Sequence, residues 1–393
     1  MNLSTWQKEF EPFGIYDDEV AQEISKLINN KNFFCETIKE EYREEYKKLL
    51  LESLPPTINE ISFAASGSEA LEHAIVIAQK ITKKKYTIAF TGCYHGSSMK
   101  MLAFSYPEYS NNTMDENEFI EVCQPHCYRC ILNKKDCNNK VCIEKIKNII
   151  EFYKNDVAAI LVDPSFGNIV SSPPISFFSK LRDLCTNYKI QLIFDETRTA
   201  IGRCGSLFAF NKLKITPDII VMNKSLACGA PLALTLYNDS TFSSKDKIEM
   251  IIRETTFSGN LLTLGISSIV LDNYKKRFNE DKLNKNAQLF KNKLSKLKKY
   301  TIIGDIRSFG FIFAIEFVDK NNDYNKSAAL LILGKLHREY GISIMPPTYK
   351  SVVMLLPYLN ISENDMDYVV ESFEKVINST FERKRGYQNG KNK

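Results

Sequence analysis

Asp195 and Lys224 are the residues on which chemistry can be built. Each follows an apolar run that reads as a buried strand: 190–194 before the carboxylate, and 218–221 shortly before the amine. In an open α/β sheet, ligands bind beyond the carboxyl ends of the strands. A Lys and an Asp delivered there suit a pyridoxal phosphate (PLP) site, because the Lys can form a Schiff base with an aldehyde and the Asp keeps the pyridine nitrogen protonated. A phosphate also needs a cradle. Ser66-Gly67-Ser68, opening a helical pattern with Leu71, Ala74, Ile75 and Ala78 on one face, offers backbone N–H groups, hydroxyls and a positive dipole end. The same three residues also describe a plain helix N-cap. At the end of the strand expected over 86–90, Gly92 and Gly96 let backbone approach a ligand, and Tyr94 can lie on a flat heteroaromatic ring or serve only as a turn aromatic.

The elements that must position these residues alternate. Strands are expected at 61–64, 86–90, 157–162, 190–194 and 218–221, with a further one after Gly229-Ala230-Pro231. A helix over 181–188 lies between two of them. This rhythm indicates a mostly parallel sheet with crossover helices. Residues 1–54 read as polar, peripheral helices: Asp17 to Val20 opens one, and Thr37 caps another over 38–51. One long helical region, Lys-rich in its later part, is expected from about 261 to 299. The last third changes character. Segments 302–307, 311–317 and 352–356 alternate like half-exposed antiparallel strands, with helices at 326–340 and 363–377, so a smaller α+β unit is expected there. The basic tail from Arg383 reads as disordered.

Composition bounds the function. The chain has 393 residues, 44% hydrophobic and 25% charged, and its net charge of +5 is spread along the sequence. That argues against a nucleic-acid groove. No run reaches membrane-spanning length and the N-terminus lacks a signal-peptide core, so a cytoplasmic protein is expected.

Taken in order, Phe63-Ala64-Ala65-Ser66-Gly67-Ser68-Glu69-Ala70, Tyr94-His95-Gly96, Ile193-Phe194-Asp195-Glu196, Gly202-Arg203-Cys204-Gly205, Asn223-Lys224-Ser225 and Thr256-Phe257-Ser258-Gly259-Asn260 resemble the class III, PLP-dependent aminotransferases of fold type I. The resemblance implies an α/β fold in which a large domain (46–265) holds a mostly parallel seven-stranded sheet. A smaller domain would combine 1–45 with 266–380, and 381–393 would form the tail. It implies PLP as cofactor, with Lys224 forming the Schiff base and shuttling the proton, and Asp195 holding the pyridinium. Ser66, Gly67, Ser68, Tyr94, His95 and Glu196 would surround the cofactor. Thr256 would reach the cofactor phosphate of the neighbouring subunit, which implies a homodimer with shared active sites. The activity implied is amino transfer from an amine or amino-acid donor to an aldehyde or ketone, in a biosynthetic pathway. An amino-acid racemase, epimerase or aminomutase is the alternative within the fold, and a non-catalytic PLP-binding partner subunit is the alternative of another class.

Two departures bear on the substrate. Thr197-Arg198 stands where the family usually has Val-Gln, placing a guanidinium next to the cofactor segment. Met354 stands where the family often has the Arg that grips a substrate carboxylate, and a thioether cannot replace that fork. Only twelve residues precede Phe13, fewer than the family usually has there, so the site is expected to be either more open than usual or completed by another chain, such as a carrier protein bringing its substrate tethered. Finally, Cys127, Cys130, Cys137 and Cys142 are spaced C-x2-C-x6-C-x4-C, with Cys123 and His126 just before. Similar inserts occur in some relatives. The first pair suits zinc or an iron-sulfur cluster, while the second is unusually wide, so free reduced thiols and disulfides remain open alternatives.

Overall fold

The computed structural model describes residues 11–13, 17–29, 39–105, 118–130, 140–153, 156–171, 173–242, 255–347 and 349–382. Among them, seven strands form one sheet in the order β1-β7-β6-β5-β4-β2-β3. They are β1 (Glu60–Ala64), β2 (Tyr86–Phe90), β3 (Phe119–Val122), β4 (Val157–Val162), β5 (Gln191–Asp195), β6 (Ile219–Met222) and β7 (Ala233–Tyr237). The pairs from β3 through β6 are parallel, and β7 runs antiparallel to both β6 and β1. The mostly parallel, seven-stranded sheet of the sequence reading is therefore present. The short edge strand β3 was not foreseen; Glu121 and the adjoining Cys123 break its apolar signal.

Burial on both faces explains the continuous apolar runs. In β4, Val157, Ile160 and Val162 belong to one core while Ala159 and Leu161 belong to the other. The helix α3 (Gly67–Thr82) covers the second face with Ala70, Leu71, Ala74 and Ile75. The first face is covered by Phe177, Phe178 and Leu181 of α6 (Ile175–Tyr188).

The first helices, α1 (Asp18–Asn29) and α2 (Lys39–Leu51), pack against α8 (Leu261–Arg277). They are not peripheral. Tyr46 and Leu50 are buried, and the Tyr46 hydroxyl meets Ser267 Oγ at 2.7 Å. The polar face of α2 conceals a few core contacts, which is why composition alone misplaced it. Its expected cap, Thr37, lies outside the described residues. The long helical region is interrupted: α8 ends at Arg277, and α9 (Glu280–Ser295) restarts with Asn279 accepting from Lys282 N at 3.1 Å.

A second sheet, in the order β10-β9-β8, is wholly antiparallel. It consists of β8 (Ile303–Phe309), β9 (Ile312–Phe317) and β10 (Val352–Leu355). The half-exposed pattern expected for these strands does not hold in the centre. All six residues of β9 are buried, because α10 (Lys326–Tyr340) packs on the sheet and loops of the large sheet reach it through Arg129 and Ile169. No described helix is long and apolar enough to cross a membrane.

Candidate functional site

The carboxyl ends of β2, β4, β5 and β6 meet at one place. Register puts Asp195, the last residue of β5, beside Val221 of β6, and Glu196 N donates to Val221 O at 2.8 Å. Lys224 follows three residues after Val221 and begins a short 3-10 turn, Lys224–Ala227. Its φ of 50° is a left-handed value that a side-chain-bearing residue adopts only under constraint from its surroundings.

Gly67 is where these elements converge. A Cβ there would stand 3.4 Å from Thr197 Cγ2 and 3.5 Å from Asn223 Oδ1, so the start of α3, the segment after β5 and the segment after β6 enclose a space that a side chain would begin to fill. Ser66 is the N-cap, its hydroxyl accepting from Glu69 N at 3.3 Å, while Glu69 Oε2 accepts from Ala65 N at 2.9 Å. The N-cap reading of this turn is thus observed directly, and the capped helix is the one whose first residue, Gly67, lies beside Thr197 and Asn223. Ser68 Oγ accepts from Ser97 N at 3.0 Å, bringing the Tyr94 loop against the same helix end. Tyr94 is half-buried there.

Asp195 is 2% exposed. Burial alone would raise its pKa. Its bond to His95 Nδ1 (2.7 Å), the charge His95 carries when protonated and the bond from Thr197 N (3.1 Å) together hold it below the usual carboxylate value. An ionised buried carboxylate at a strand end is what a pyridinium nitrogen requires, so the donor set fits PLP. His95 itself is tied to Asp195 through Nδ1. Its ring is 1% exposed, and Nε2 has no hydrogen-bond partner among the described residues. The sequence reading put His95 in the cofactor's first contacts. The geometry makes it the partner of Asp195, a role foreshadowed only by its place beside Tyr94.

Glu196 also departs from its expected place. Its carboxylate is fully buried and accepts from Ala209 N (2.6 Å), Phe210 N (3.0 Å) and Thr199 Oγ1 (3.1 Å), fixing the start of the short helix α7 (Ala209–Leu213). Burial pushes it up to about 7 against those bonds. It supports the segment after β5 and does not join the Asp195 group. Arg198 is likewise buried, 3.7 Å from Asp163 Oδ2, and Asp163 organises the turn after β4 through Ser165 and Gly167. The guanidinium that stood out in the sequence thus has a buried countercharge beneath the site.

Thr256 is exposed, as is Phe257 beside it. Arg43 of α2 donates to Ser258 O at 2.6 Å and to Gly259 O at 3.3 Å, fastening this loop. The metal reading finds no support. Among the described residues, no three of His, Cys, Asp and Glu form a metal-binding group. Cys127 is exposed and Cys130 and Cys142 half-buried, while Cys137 lies outside the described residues. The turn Cys127–Arg129 instead turns its polar side chains toward the small sheet, with Arg129 on Glu316 and Tyr128 on Asn322.

Met354 lies in β10 opposite Ala314, and Ala314 in turn lies opposite Arg307 of β8. Arg307 therefore shares a rung and a sheet face with Met354. All three of its nitrogens are engaged: Nε and Nη2 on Ile169 O (3.1 and 2.9 Å), and Nη1 on Glu316 Oε2 (2.8 Å) and Asp305 Oδ2 (3.1 Å).

The fold and these motifs have known counterparts. Over 356 residues the chain is 26% identical to the adenosylmethionine-8-amino-7-oxononanoate aminotransferase of Geobacter sulfurreducens, covering 84% of this chain and 78% of that one. It is 25% identical over 356 residues to the alanine/serine racemase of Pyrococcus horikoshii, covering 84% and 72%. Its fold matches an omega transaminase from Pseudomonas jessenii, solved in complex with PMP, with a TM-score of 0.86 at 21% identity over 96% of this chain and 87% of that one. The class III aminotransferase family model matches residues 11–377. With a buried Asp at the end of β5, a lysine at the end of β6 and a helix N-terminus beside both, the chain belongs to the class III aminotransferases and is a PLP-dependent enzyme.

Proposed function

We propose that the enzyme moves an amino group between an amine whose reacting carbon bears no carboxylate and an aldehyde or ketone, the substrate being small or carrier-tethered. Bound PLP supplies an aldehyde that takes up amines and a ring that accepts electron density. The chain's own residues do the rest. Lys224 holds the cofactor covalently and, once released, is the base that moves the proton at the substrate carbon. Asp195, kept ionised by His95, fixes the proton on the ring nitrogen. The start of α3 at Gly67 and Ser68 holds the phosphate.

The observation that carries the substrate class is the rung Met354-Ala314-Arg307. Met354 is a buried residue of the core at the position where the resemblance puts a carboxylate-binding guanidinium, and the Arg on the same face is saturated by protein groups. The test is the spectral conversion of bound cofactor by a panel of primary ω-amines, amino-aldehydes and α-amino acids. Faster conversion by α-amino acids than by every carboxylate-free amine would sink the reading.

Similarity to a racemase supports a second reading, an isomerase within the same fold. Exchange of the substrate α-hydrogen in deuterated water without any keto acceptor would favour it; turnover that depends on the acceptor counts against it.

We further infer a homodimer with shared sites. Phe257, 73% exposed beside the exposed Thr256, gives the loop an apolar residue suited to burial against a second copy.

A further inference from the structure

We propose that Arg129 and Glu316 are positioning residues of the cofactor site, their pair fastening the Cys-rich turn to the small sheet and, through that turn, setting the loop that carries Tyr94. The proposal rests on the PLP reading above. Glu316 is the penultimate residue of β9, in the otherwise apolar run Ile312–Phe317, and is 0% exposed. An unpaired carboxylate there would be strongly destabilising. It is met by Arg129 Nε and by Arg307 Nη1 at 2.8 Å, with His126 Nε2 at 3.8 Å. Burial and the two guanidiniums push His126 down to about 4, so at neutral pH the arginines alone balance the charge.

Arg129 belongs to the large-sheet side. Its Nη1 also donates to Asn322 O at 2.9 Å, its guanidinium lies 3.9 Å from the centre of the Tyr324 ring, and the neighbouring Tyr128 hydroxyl donates to Asn322 Oδ1 at 2.7 Å. The other end of the turn leads to the site. His126 N donates to Gln124 O at 2.9 Å, and Gln124 grips Thr91 through N to Oγ1 (3.3 Å) and Nε2 to O (2.7 Å). Tyr94 follows three residues later. There is no slack at this join, since a Cβ on Gly92 would stand 2.9 Å from Gln124 Nε2.

A second connection starts at the same carboxylate. Arg307 holds Ile169 O, and two residues before Ile169 a Cβ on Gly167 would stand 2.6 Å from Cys93 Cα. Both loops that bracket Gly92-Cys93 are thus anchored at Glu316, while neither Glu316 nor Arg129 is placed among the cofactor-holding groups.

The test compares wild type with Arg129→Ala, Arg129→Lys and Glu316→Gln in two rates and one control. The first rate is the reaction of half-buried Cys130 in the apoprotein with an aromatic disulfide reagent, assigned by mass spectrometry. The second is the release of PLP from the loaded protein, followed by its visible absorbance. The control is the urea midpoint. Losing a charge-assisted bond to a buried carboxylate should raise both rates roughly tenfold or more in Arg129→Ala, with Arg129→Lys in between. Faster labelling with unchanged PLP release would show that the turn does not set the site, and two unchanged rates would show that the pair holds nothing; either result overturns the proposal. A merely structural loss lowers the urea midpoint while folded protein releases PLP at the wild-type rate, which also overturns it. If these variants fail to fold, Tyr128→Phe and Asn322→Ala carry the same comparison from the exposed side of the turn. Wild-type protein that takes up no PLP would refute the cofactor reading and this proposal with it, while the labelling rates would still report whether the pair holds the turn.

Discussion

At the scale of single residues, the proposed chemistry depends on keeping a buried carboxylate ionised. Asp195 is pulled in two directions, upward by burial and downward by His95 and Thr197. In His95→Phe the main opposing influence is gone, so its pKa rises. Pairing with a ring nitrogen needs the charged form, which is lost as pH falls through the folded-state pKa. The acid limb of cofactor binding should therefore move to higher pH in this variant, as read from the bound-cofactor absorbance against pH; an unmoved limb would show that His95 does not control Asp195. Lys224 makes a simpler prediction. Borohydride reduction of the loaded enzyme should leave cofactor mass on the peptide containing Lys224, and Lys224→Ala should carry none; label retained in that variant would mean another lysine is the anchor. Neither residue owes its position to its own preferences, since Lys224 is held at φ 50° by what surrounds it.

At the scale of elements, the strand ends are held together by close backbone approaches. Gly167 has φ +60°, and an added Cβ would stand 2.6 Å from Cys93 Cα and 2.7 Å from Gly92 O, both backbone atoms that cannot swing aside. Gly167→Ala should destabilise the protein by about 1–3 kcal/mol, through left-handed strain and overpacking, and should weaken PLP binding. Urea unfolding and cofactor titration measure the two effects, and a variant with wild-type midpoint would show that the two loops are not in register as described. The elements themselves were largely legible. The spans 86–90, 157–162, 326–340 and 363–377 read from periodicity are the observed β2, β4, α10 and α11, because long regular segments bury one or both faces uniformly. β3, the break at Asn279 and the buried character of β9 were not legible, since each depends on what packs alongside. Glu316 within an apolar strand was a signal in plain sight, but its meaning needed Arg129, 187 residues away in the chain.

At the scale of the whole molecule, the two sheets are joined by contacts of the Arg129 and Ile169 loops with the small sheet and its adjoining turn. A shared site predicts complementation. Lys224→Ala and Thr256→Glu should each give weakly active or inactive homodimers, the second by placing an anion beside the partner site's phosphate. A mixed dimer then contains one site with both wild-type residues, so co-refolding the two variants should restore up to about half of wild-type activity per heterodimer, since subunits pair symmetrically. No recovery, with mixed dimers demonstrated by mass spectrometry, would show that Thr256 serves its own chain.

The sequence by itself determined the fold class and the family, because apolar runs and the ordered motifs around Asp195 and Lys224 are local patterns. It also located the substrate question at Met354. Only the tertiary structure decided what the polar residues nearby do: His95 pairs with Asp195, Glu196 caps α7, Arg198 meets Asp163, and the Cys-rich turn grips Glu316. A buried charge takes its role from the countercharge or donor it meets, and those partners are set by packing between distant segments, which no local pattern encodes.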